Sequence, residues 1–504
     1  MTSFSSDKAR RLLVLAAVCL AALCMPLSFT GPAIATAAIA VDLPGSPLAL
    51  AWISNAFMLS FGGCLMAAGA LADRHGRKRL FLLGMALFTL AAFALALAPT
   101  IAVLGVLRAA QGLGCALALS SGLAALAQEF DGAPRARAFS LIGTSFGAGL
   151  AFGPIVAGVL VAAAGWRSLF LATAGAGLLA LLLGMRTLRE SRDPQAASLD
   201  RAGAASFTAA LSLLTYGLLQ APASGWNSLA SWGLLGGAAL LLAVFALVEK
   251  RHARPMLDLS LFRLPAFAGV QLLAAAPAFS FVVLLVLLPA RFIGIDGDSA
   301  QAAGAMMLAL SAPMLVLPLL AGLAAQRVPA GHICSVGLLL AAAGLLWLAE
   351  CPPGTPKSAV LGPLLLIGAG ISLPWGLMDG LAVSVVPVER AGMAAGIFNT
   401  TRVAGEGIAL AIVAALLATF TLAALRAVPG VSAPDAALAA PLLAIGQLQQ
   451  ARQLLPQLGA AELAAAYGLA FHHLLQVLAA ISGATAVLLL VFLRQPAGVA
   501  APAP

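Results

Sequence analysis

Residues 48–98 read LALAWISNAFMLSFGGCLMAAGALADRHGRKRLFLLGMALFTLAAFALALA, in which one short basic loop separates two long apolar runs. Each run is long enough to cross the ~30 Å hydrocarbon core of a bilayer as a helix. The loop is so short that the chain must reverse direction, which makes the two helices antiparallel neighbours. This stretch predicts a membrane-spanning helical hairpin, and the same pattern recurs along the chain.

The composition is that of a protein whose main solvent is lipid. Of the 504 residues, 62% are hydrophobic and 9% are charged, whereas soluble domains carry roughly 25% charged residues. The apolar runs are continuous rather than alternating, which favours helices over membrane β-strands. We therefore predict an all-α membrane protein with about fourteen transmembrane helices. They are expected at about 12–40, 48–71, 80–98, 101–127, 138–164, 168–185, 203–221, 229–248, 266–290, 299–326, 332–349, 360–386, 392–422 and 466–493.

The placement of basic residues predicts the orientation in the membrane. If the N-terminus is cytoplasmic, the inside segments hold 20 of the 27 Lys and Arg residues, and the outside segments hold five. Such a bias is typical of inner-membrane proteins whose basic loops stay in the cytoplasm. We expect a multi-pass protein of the cell inner membrane with both termini cytoplasmic. The same bias accounts for the net charge of +9 without a nucleic-acid partner.

Two long connections divide the chain into three parts. We expect a six-helix bundle at 1–185, then a linker with two extra membrane helices at 186–265, and a second six-helix bundle at 266–504. An extracytoplasmic loop at about 423–465 interrupts the second bundle, and part of it can form an interfacial helix. Two pseudo-symmetric six-helix halves around a central site are typical of secondary transporters.

The loop after the second span carries the most specific pattern. Two glycines permit a sharp turn, an aspartate can pair with arginine or cap a helix, and basic residues hold the loop inside. The residues of this conformational loop are Gly69, Leu71, Asp73, Arg74, Gly76, Arg77 and Lys78. The pattern resembles the loop signature of the major facilitator superfamily, against the alternative of a generic basic turn.

Three further stretches resemble the same superfamily in the same order. Span 4 contains Arg108-Ala-Ala-Gln-Gly-Leu-Gly, which is similar to a motif of proton-coupled members. Span 5 carries an antiporter-type helix motif with glycines that allow close helix contact and a proline that kinks the helix, namely Gly149, Gly153, Pro154 and Gly158. The segment 392–405 resembles span 13 of the fourteen-span drug–proton antiporter branch. Many members of that branch have an acid in span 1, where this chain has Ser28.

Only Asp379 and Glu406, of the 18 acidic residues, lie well inside apolar runs. Ionisable groups inside a membrane cost at least ~2.5–3.5 kcal/mol to insert, so they are candidates for function. We expect Asp379 to face the central cavity and to exchange protons or contact a cationic substrate. The alternative is a structural carboxylate that pairs with Arg108 or with the backbone.

Glu406 follows Arg402 by four residues, so both side chains lie on one face of the helix. This spacing is compatible with a structural ion pair within the helix. It is equally compatible with a switch, in which protonation of Glu406 frees Arg402 to bind elsewhere. The resemblance implies that Arg108 takes part in proton relay.

The sequence thus favours proton-coupled export of small drug-like or toxic compounds by alternating access. The alternatives are a dedicated exporter of one endogenous metabolite or siderophore and, less favoured, an uptake symporter. The expected partners are the lipid bilayer, protons and a small-molecule substrate, with a periplasmic adaptor and an outer-membrane channel as further candidates. We expect no enzymatic activity, no cofactor and no metal site, since the six cysteines are scattered and lack the spacing of metal ligands.

Overall fold

The computed structural model describes residues 2–130, 132–192, 200–251, 257, 259–386 and 391–493. Within these ranges the chain is helical and contains no strand. Fourteen helices are long and apolar enough to cross a membrane. The predicted all-α membrane fold with fourteen spans is therefore confirmed.

We call the first six spans the N-terminal half and spans 9 to 14 the C-terminal half. The first six spans run over Lys8–Asp42, Pro47–His75, Arg77–Ala96, Ile101–Glu129, Leu141–Ala164 and Trp166–Thr187. Span 1 packs on spans 5 and 6, and span 4 packs on spans 2 and 3. We call the membrane side that holds the turn between spans 2 and 3 the basic side. Because the number of spans is even, span 1 begins and span 14 ends on the basic side.

The remaining spans comprise a peripheral pair and the C-terminal half. They run over Ala202–Pro222, Leu229–Arg251, Pro265–Ile295, Ala300–Ala324, Ala330–Ala349, Lys357–Ala382, Ala394–Arg426 and Ala460–Phe492. Spans 7 and 8 pack on each other, and span 7 also contacts spans 2 and 13. Span 8 leaves large apolar side chains such as Trp232 and Leu240 exposed. Such a surface is stable against lipid and places the pair at the edge of the molecule.

Three spans of the C-terminal half depart from a regular α-helix. Span 9 widens into π-helix at Ala278–Val282 and Ala290–Ile295, span 10 tightens into a 3-10 turn at Ala312–Leu315, and span 12 stops at Trp375 and resumes at Met378. Prolines lie at or beside each irregularity, because they remove a backbone donor and crowd the preceding turn. Irregular backbone inside a membrane is tolerated where it is enclosed by protein.

The segment between spans 13 and 14 is shorter and more ordered than the predicted loop at 423–465. Span 13 continues to Arg426 and span 14 begins at Ala460. Two short helices, Ala433–Ala444 and Leu448–Leu454, occupy the interval. Ile445, in the turn between them, packs on the apolar core of the N-terminal half. The segment therefore bridges the two halves on the side opposite the basic side.

Spans 5 and 10 close the interface between the halves on that same side. A Cβ atom on Gly158 would lie 2.6 Å from the carbonyl oxygen of Ala300, and one on Gly304 would lie 2.6 Å from that of Pro154. Only glycine permits such close approach of two helix backbones. Ala300 also packs against the apolar core of the N-terminal half. The two halves are thus in direct contact at this end.

We predict that Gly158→Leu prevents this closure, because its side chain would overlap the backbone of span 10. Spin labels are placed at Ala164 and Ser299 on a background without the native cysteines. Double electron–electron resonance should then give a longer distance between the labels in Gly158→Leu than in the protein with Gly158. Gly175→Leu is the matched control, since Gly175 has no neighbouring atom within 4 Å of its Cβ position. Equal distance distributions in both variants would contradict the role assigned to the contact.

Candidate functional site

A narrow pocket lies where the two halves meet. Its walls come from spans 1, 2 and 5 of the N-terminal half and from spans 9 and 13 of the C-terminal half. The lining residues are Met25, Pro26, Phe29, Phe57, Met58, Phe61, Phe146, Leu150, Val282 and Glu406. Nine of these ten side chains are apolar. The lining of the pocket is therefore apolar apart from one carboxylate.

Glu406 is that carboxylate, and it lies deep in the membrane. It follows the start of span 13 at Ala394 by twelve residues, which corresponds to ~18 Å along a helix and so to a position near the middle of the bilayer. The residue is buried. Among the described residues, Glu406 takes part in no hydrogen bond and in no ion pair within 4 Å. A carboxylate in apolar surroundings is more stable with a proton bound than without one.

Arg402 does not form the intrahelical ion pair with Glu406 that the spacing allowed. Its Nη1 lies 3.5 Å from Oδ1 of Asp379, and its Nη2 donates a hydrogen bond of 2.8 Å to Oδ1 of Asn399. The guanidinium also lies within 6 Å of three aromatic rings, those of Phe146, Trp375 and Phe398. Such rings stabilise a desolvated cation through their electron-rich faces.

Two of these rings connect the halves of the molecule. Phe146 belongs to span 5 and Trp375 to span 12, and the two rings stack with centroids 6.4 Å apart. Arg402 is therefore held by an aromatic contact that spans both halves. A movement of one half against the other changes the surroundings of this guanidinium.

Asp379 lies nearer to the membrane edge than the apolar run suggested. It follows the break in span 12 and occupies the first turn of the short helix Met378–Ser384. Its side chain is 58% exposed. Its partner is Arg402, not Arg108 as the structural alternative proposed. Asp379 thus marks the mouth of the site on the basic side, one turn before the span ends at Ala382.

Arg108 belongs to a separate polar network in the N-terminal half. Its Nε donates to the carbonyl oxygen of Ile53 at 2.9 Å, and its Nη1 donates to Oε1 of Gln111 at 2.5 Å. The amide of Gln111 donates in turn to Ser28 at 3.4 Å. The guanidinium lies 4.3 Å from the ring centroid of Phe57, which lines the pocket. Ser28, which occupies the position of the expected span-1 acid, is therefore joined to Arg108 through the side chain of Gln111.

The glycines of the span-5 motif all lie at close helix contacts. A Cβ atom on Gly149 would lie 2.7 Å from the carbonyl oxygen of Leu23, and one on Gly153 would overlap the hydroxyl of Thr30. These two glycines bring span 5 against span 1, while Gly158 and the carbonyl of Pro154 contact span 10. The motif therefore packs one helix against partners from both halves.

The loop between spans 2 and 3 is a tight turn closed by an internal ion pair. Gly76 has a φ of 111°, which favours glycine. Asp73 accepts hydrogen bonds from Arg77, with Nη2 at 2.7 Å, and Lys78 donates to the carbonyl of Met185 at 3.0 Å. Arg74 is exposed. Gly69 lies where a Cβ would just touch Ser120 of span 4, at 4.0 Å.

Sequence analysis missed one anchor of this loop, Glu190. Its carboxylate accepts hydrogen bonds from the backbone amides of Lys78 and Arg79 at the start of span 3, at 3.2 and 3.3 Å. A carboxylate at a helix N-terminus satisfies free amides and interacts favourably with the helix dipole. The segment after span 6 is thereby fixed to the loop, a long-range contact that no local pattern in the sequence reveals.

No group of three or more potential metal ligands lies together in the described ranges. All six cysteines are free thiols within helices or at their ends. The site combines an apolar pocket, a buried carboxylate and two buried guanidinium groups.

Curated relatives of this chain are bacterial exporters and resistance proteins. It is 34% identical to the multidrug resistance protein Stp of Mycobacterium tuberculosis over 387 residues, which cover 75% of this chain and 72% of the relative. It is 32% identical to the tetracenomycin C resistance and export protein of Streptomyces glaucescens, over 80% of this chain and 76% of the relative. It is also 32% identical to the cephamycin export protein CmcT of Amycolatopsis lactamdurans, over 75% and 79%.

Solved structures with the same fold are more distant in sequence. A bacterial homologue of the human lysosomal transporter Spinster, in an inward-facing and unoccupied conformation, superposes with a TM-score of 0.66 at 15% identity. The alignment covers 96% of this chain and 97% of that one. The family model of the Major Facilitator Superfamily matches residues 16–410. With its fourteen spans and its central pocket between two halves, the chain belongs to the major facilitator superfamily, and it is a transporter rather than an enzyme.

Proposed function

We propose that this protein exports small drug-like or toxic organic compounds in exchange for protons. The observation that carries the proposal is Glu406, an ionisable group without a hydrogen-bond partner among the described residues, in an apolar pocket between the two halves. The relatives named as multidrug resistance, tetracenomycin C export and cephamycin export proteins support the export direction.

Protonation of Glu406 is the coupling step in this mechanism. While the pocket is open to the outside, a proton binds Glu406 and the substrate leaves. The neutral side chain then tolerates enclosure between apolar walls, so the empty carrier returns. On the basic side the proton is released, and the carboxylate becomes charged again as a new substrate enters. The gradient biases the two conformations because protonated and unprotonated carriers differ in their stable state.

Arg402 assists the release of the proton. It lies one helical turn before Glu406 and is held by Asp379 at 3.5 Å, a long distance for an ion pair. A small rotation of its side chain brings the guanidinium from Asp379 to Glu406, since residues four apart share a helix face. The charged form of Glu406 is then stabilised, and Asp379, which is exposed, is solvated by water.

The basic side is cytoplasmic in this proposal. The bias of Lys and Arg toward the loops on that side supports this orientation. Under the proposal, both termini are cytoplasmic and the protein lies in the inner membrane. The bridge formed by Ala433–Ala444 and Leu448–Leu454 then faces outward. A periplasmic adaptor and an outer-membrane channel, the further partners expected from the sequence, would dock on that outer face.

A dedicated exporter of one endogenous metabolite is the second candidate. It is favoured by Ser28, which stands beside Gln111 without a negative charge. It has the same fold and the same coupling step. A screen of structurally unrelated compounds separates the two functions, because a dedicated exporter confers resistance to one chemical class only.

We predict that Glu406→Gln abolishes gradient-driven export, because the neutral amide imitates the protonated state permanently. The measurement is efflux of a panel of antibiotics and dyes from energised cells of an efflux-deficient bacterium, with and without a protonophore.

In the same efflux measurement, Asp379→Asn should retain export but shift the pH dependence of export to more acidic external pH, because Arg402 then stays near the Glu406 carboxylate. Glu350→Gln is the control, since its side chain is 74% exposed outside the spans.

The result for Glu406→Gln decides the coupling mechanism. Undiminished export in this variant, with the same sensitivity to the protonophore as the parent, would exclude Glu406 as the proton carrier. Fluorescence size-exclusion profiles of each variant show whether a loss of export comes from misfolding.

We predict that a green fluorescent protein fused after Phe492 fluoresces, because this end is expected to be cytoplasmic. Alkaline phosphatase inserted at Gly430, in the turn after span 13, should be active, because the enzyme requires the oxidising periplasm to form its disulfides. The reverse pair of activities would invert the proposed orientation.

A further inference from the structure

The network around Arg108 contains an unused hydrogen-bond donor. Arg108, Gln111 and Ser28 are 0%, 1% and 2% exposed. Two of the guanidinium nitrogens donate to Ile53 and Gln111, but Nη2 of Arg108 is buried with no hydrogen-bond partner. An unsatisfied buried donor costs free energy, and a charged one costs more. The site is therefore incomplete without an acceptor.

The positive charge of Arg108 is not compensated within the described ranges. Its guanidinium forms no ion pair within 4 Å in these ranges, and its hydrogen bonds go to the uncharged groups of Ile53 and Gln111. Arg402 differs, because it contacts Asp379 and lies one turn from Glu406. The N-terminal half thus contributes a net positive charge to its side of the site.

This charge lies one aromatic ring away from the pocket. The guanidinium stacks on Phe57 at 4.3 Å from the ring centroid, and Phe57 lines the pocket together with Met25 and Phe29, which flank Ser28 in span 1. Access of a ligand to Arg108 from the pocket requires the ring of Phe57 to move aside. A ligand there would place its apolar body among these side chains and its polar group on Arg108.

We propose that this pocket selects organic compounds with an apolar body and a single acidic group, a carboxylate or a phenolate, over organic cations. The acidic group accepts the free Nη2–H of Arg108, and charge-assisted hydrogen bonds of this kind are the stronger ones. A cation in the same pocket meets an uncompensated like charge across Phe57. The inference rests on the proposed export function and adds the charge class of its substrates.

The competing arrangement is a cation held by the carboxylate of Glu406. The two arrangements differ in the ligand that the parent protein prefers, which is the anion if Arg108 holds the ligand and the cation if Glu406 does. An acid placed beside Arg108 removes a preference for the anion only if Arg108 carries that preference. Gln111→Glu keeps the shape of the side chain and its acceptor oxygen at 2.5 Å from Nη1. The new carboxylate balances the positive charge of the guanidinium. Ser28→Asp does so from the other end of the network, and Ser28→Asn is its uncharged control.

The test uses three ligands with the same pyrene body: 1-pyrenebutanoate, 1-pyrenebutanol and the pyrenebutyl-trimethylammonium cation. Binding to the full-length protein in nanodiscs is measured by energy transfer from tryptophan to pyrene, with protein-free nanodiscs as the partition control. The parent protein should bind the butanoate at least about tenfold more tightly than the cation, since like-charge contacts are strongly unfavourable. Gln111→Glu and Ser28→Asp should bind the cation more tightly, whereas Ser28→Asn should keep the preference for the anion.

Equal binding of the three ligands by the parent protein, binding of none, or a preference for the cation would overturn the inference. So would a change of preference in Ser28→Asn as large as that in Ser28→Asp, because the effect would then follow volume rather than charge. Uptake of the same ligands into inverted vesicles under a proton gradient separates this inference from the function on which it rests. Selective binding without gradient-driven transport refutes proton-coupled export alone, whereas transport without charge preference refutes the charge selectivity alone.

Discussion

The structure depends on where charged side chains can be buried in an otherwise apolar protein interior. A guanidinium or carboxylate away from water is stable only beside a partner or a polarisable surface. Arg402 has both, an aspartate at 3.5 Å and three aromatic rings, and one of those rings comes from the opposite half. The charge state of one helix is thereby linked to the relative position of the halves, which is the physical requirement for coupling protonation to a conformational change.

Close backbone contact is the second constraint, and it determines which end of the molecule is shut. Span 5 touches span 1 through Gly149 and Gly153 and touches span 10 through Gly158. Span 5 is thus packed tightly on both sides, and separation of the halves at this end would break its contact with span 10. The short helices near Ile445 cover the same end and add apolar contact across it. At the basic side, by contrast, the side chain of Asp379 is 58% exposed.

Sequence patterns predicted the architecture better than the site. Continuous apolar runs gave the number of spans, and most boundaries agreed within a few residues, because burial in lipid requires length and hydrophobicity in one local segment. The largest difference is span 14, expected at 466 and found to begin at Ala460, because an Ala-rich segment extends the helix beyond its most apolar part.

The pairing of the charges could not be predicted from the same patterns. The four-residue spacing of Arg402 and Glu406 allowed an ion pair, but the break in span 12 carries Asp379 to Arg402 instead. Contacts between distant segments, such as Glu190 on the start of span 3, leave no periodic signal. Gln111 was visible within the span-4 motif, yet its role as the link from Arg108 to Ser28 requires three-dimensional structure.

The two halves differ in their charged groups. In the proposed cycle, one half binds the proton and the other binds the acidic group of the substrate. The C-terminal half holds Glu406, Arg402 and Asp379, a set whose net charge changes when one proton binds. The N-terminal half holds Arg108, whose charge is constant because guanidinium groups stay protonated in proteins. In the proposed cycle the proton and the acidic group of the substrate therefore occupy different walls of one pocket. They need not compete for one carboxylate, and coupling between them passes through the movement of the halves, in which Phe146 and Trp375 are in direct contact.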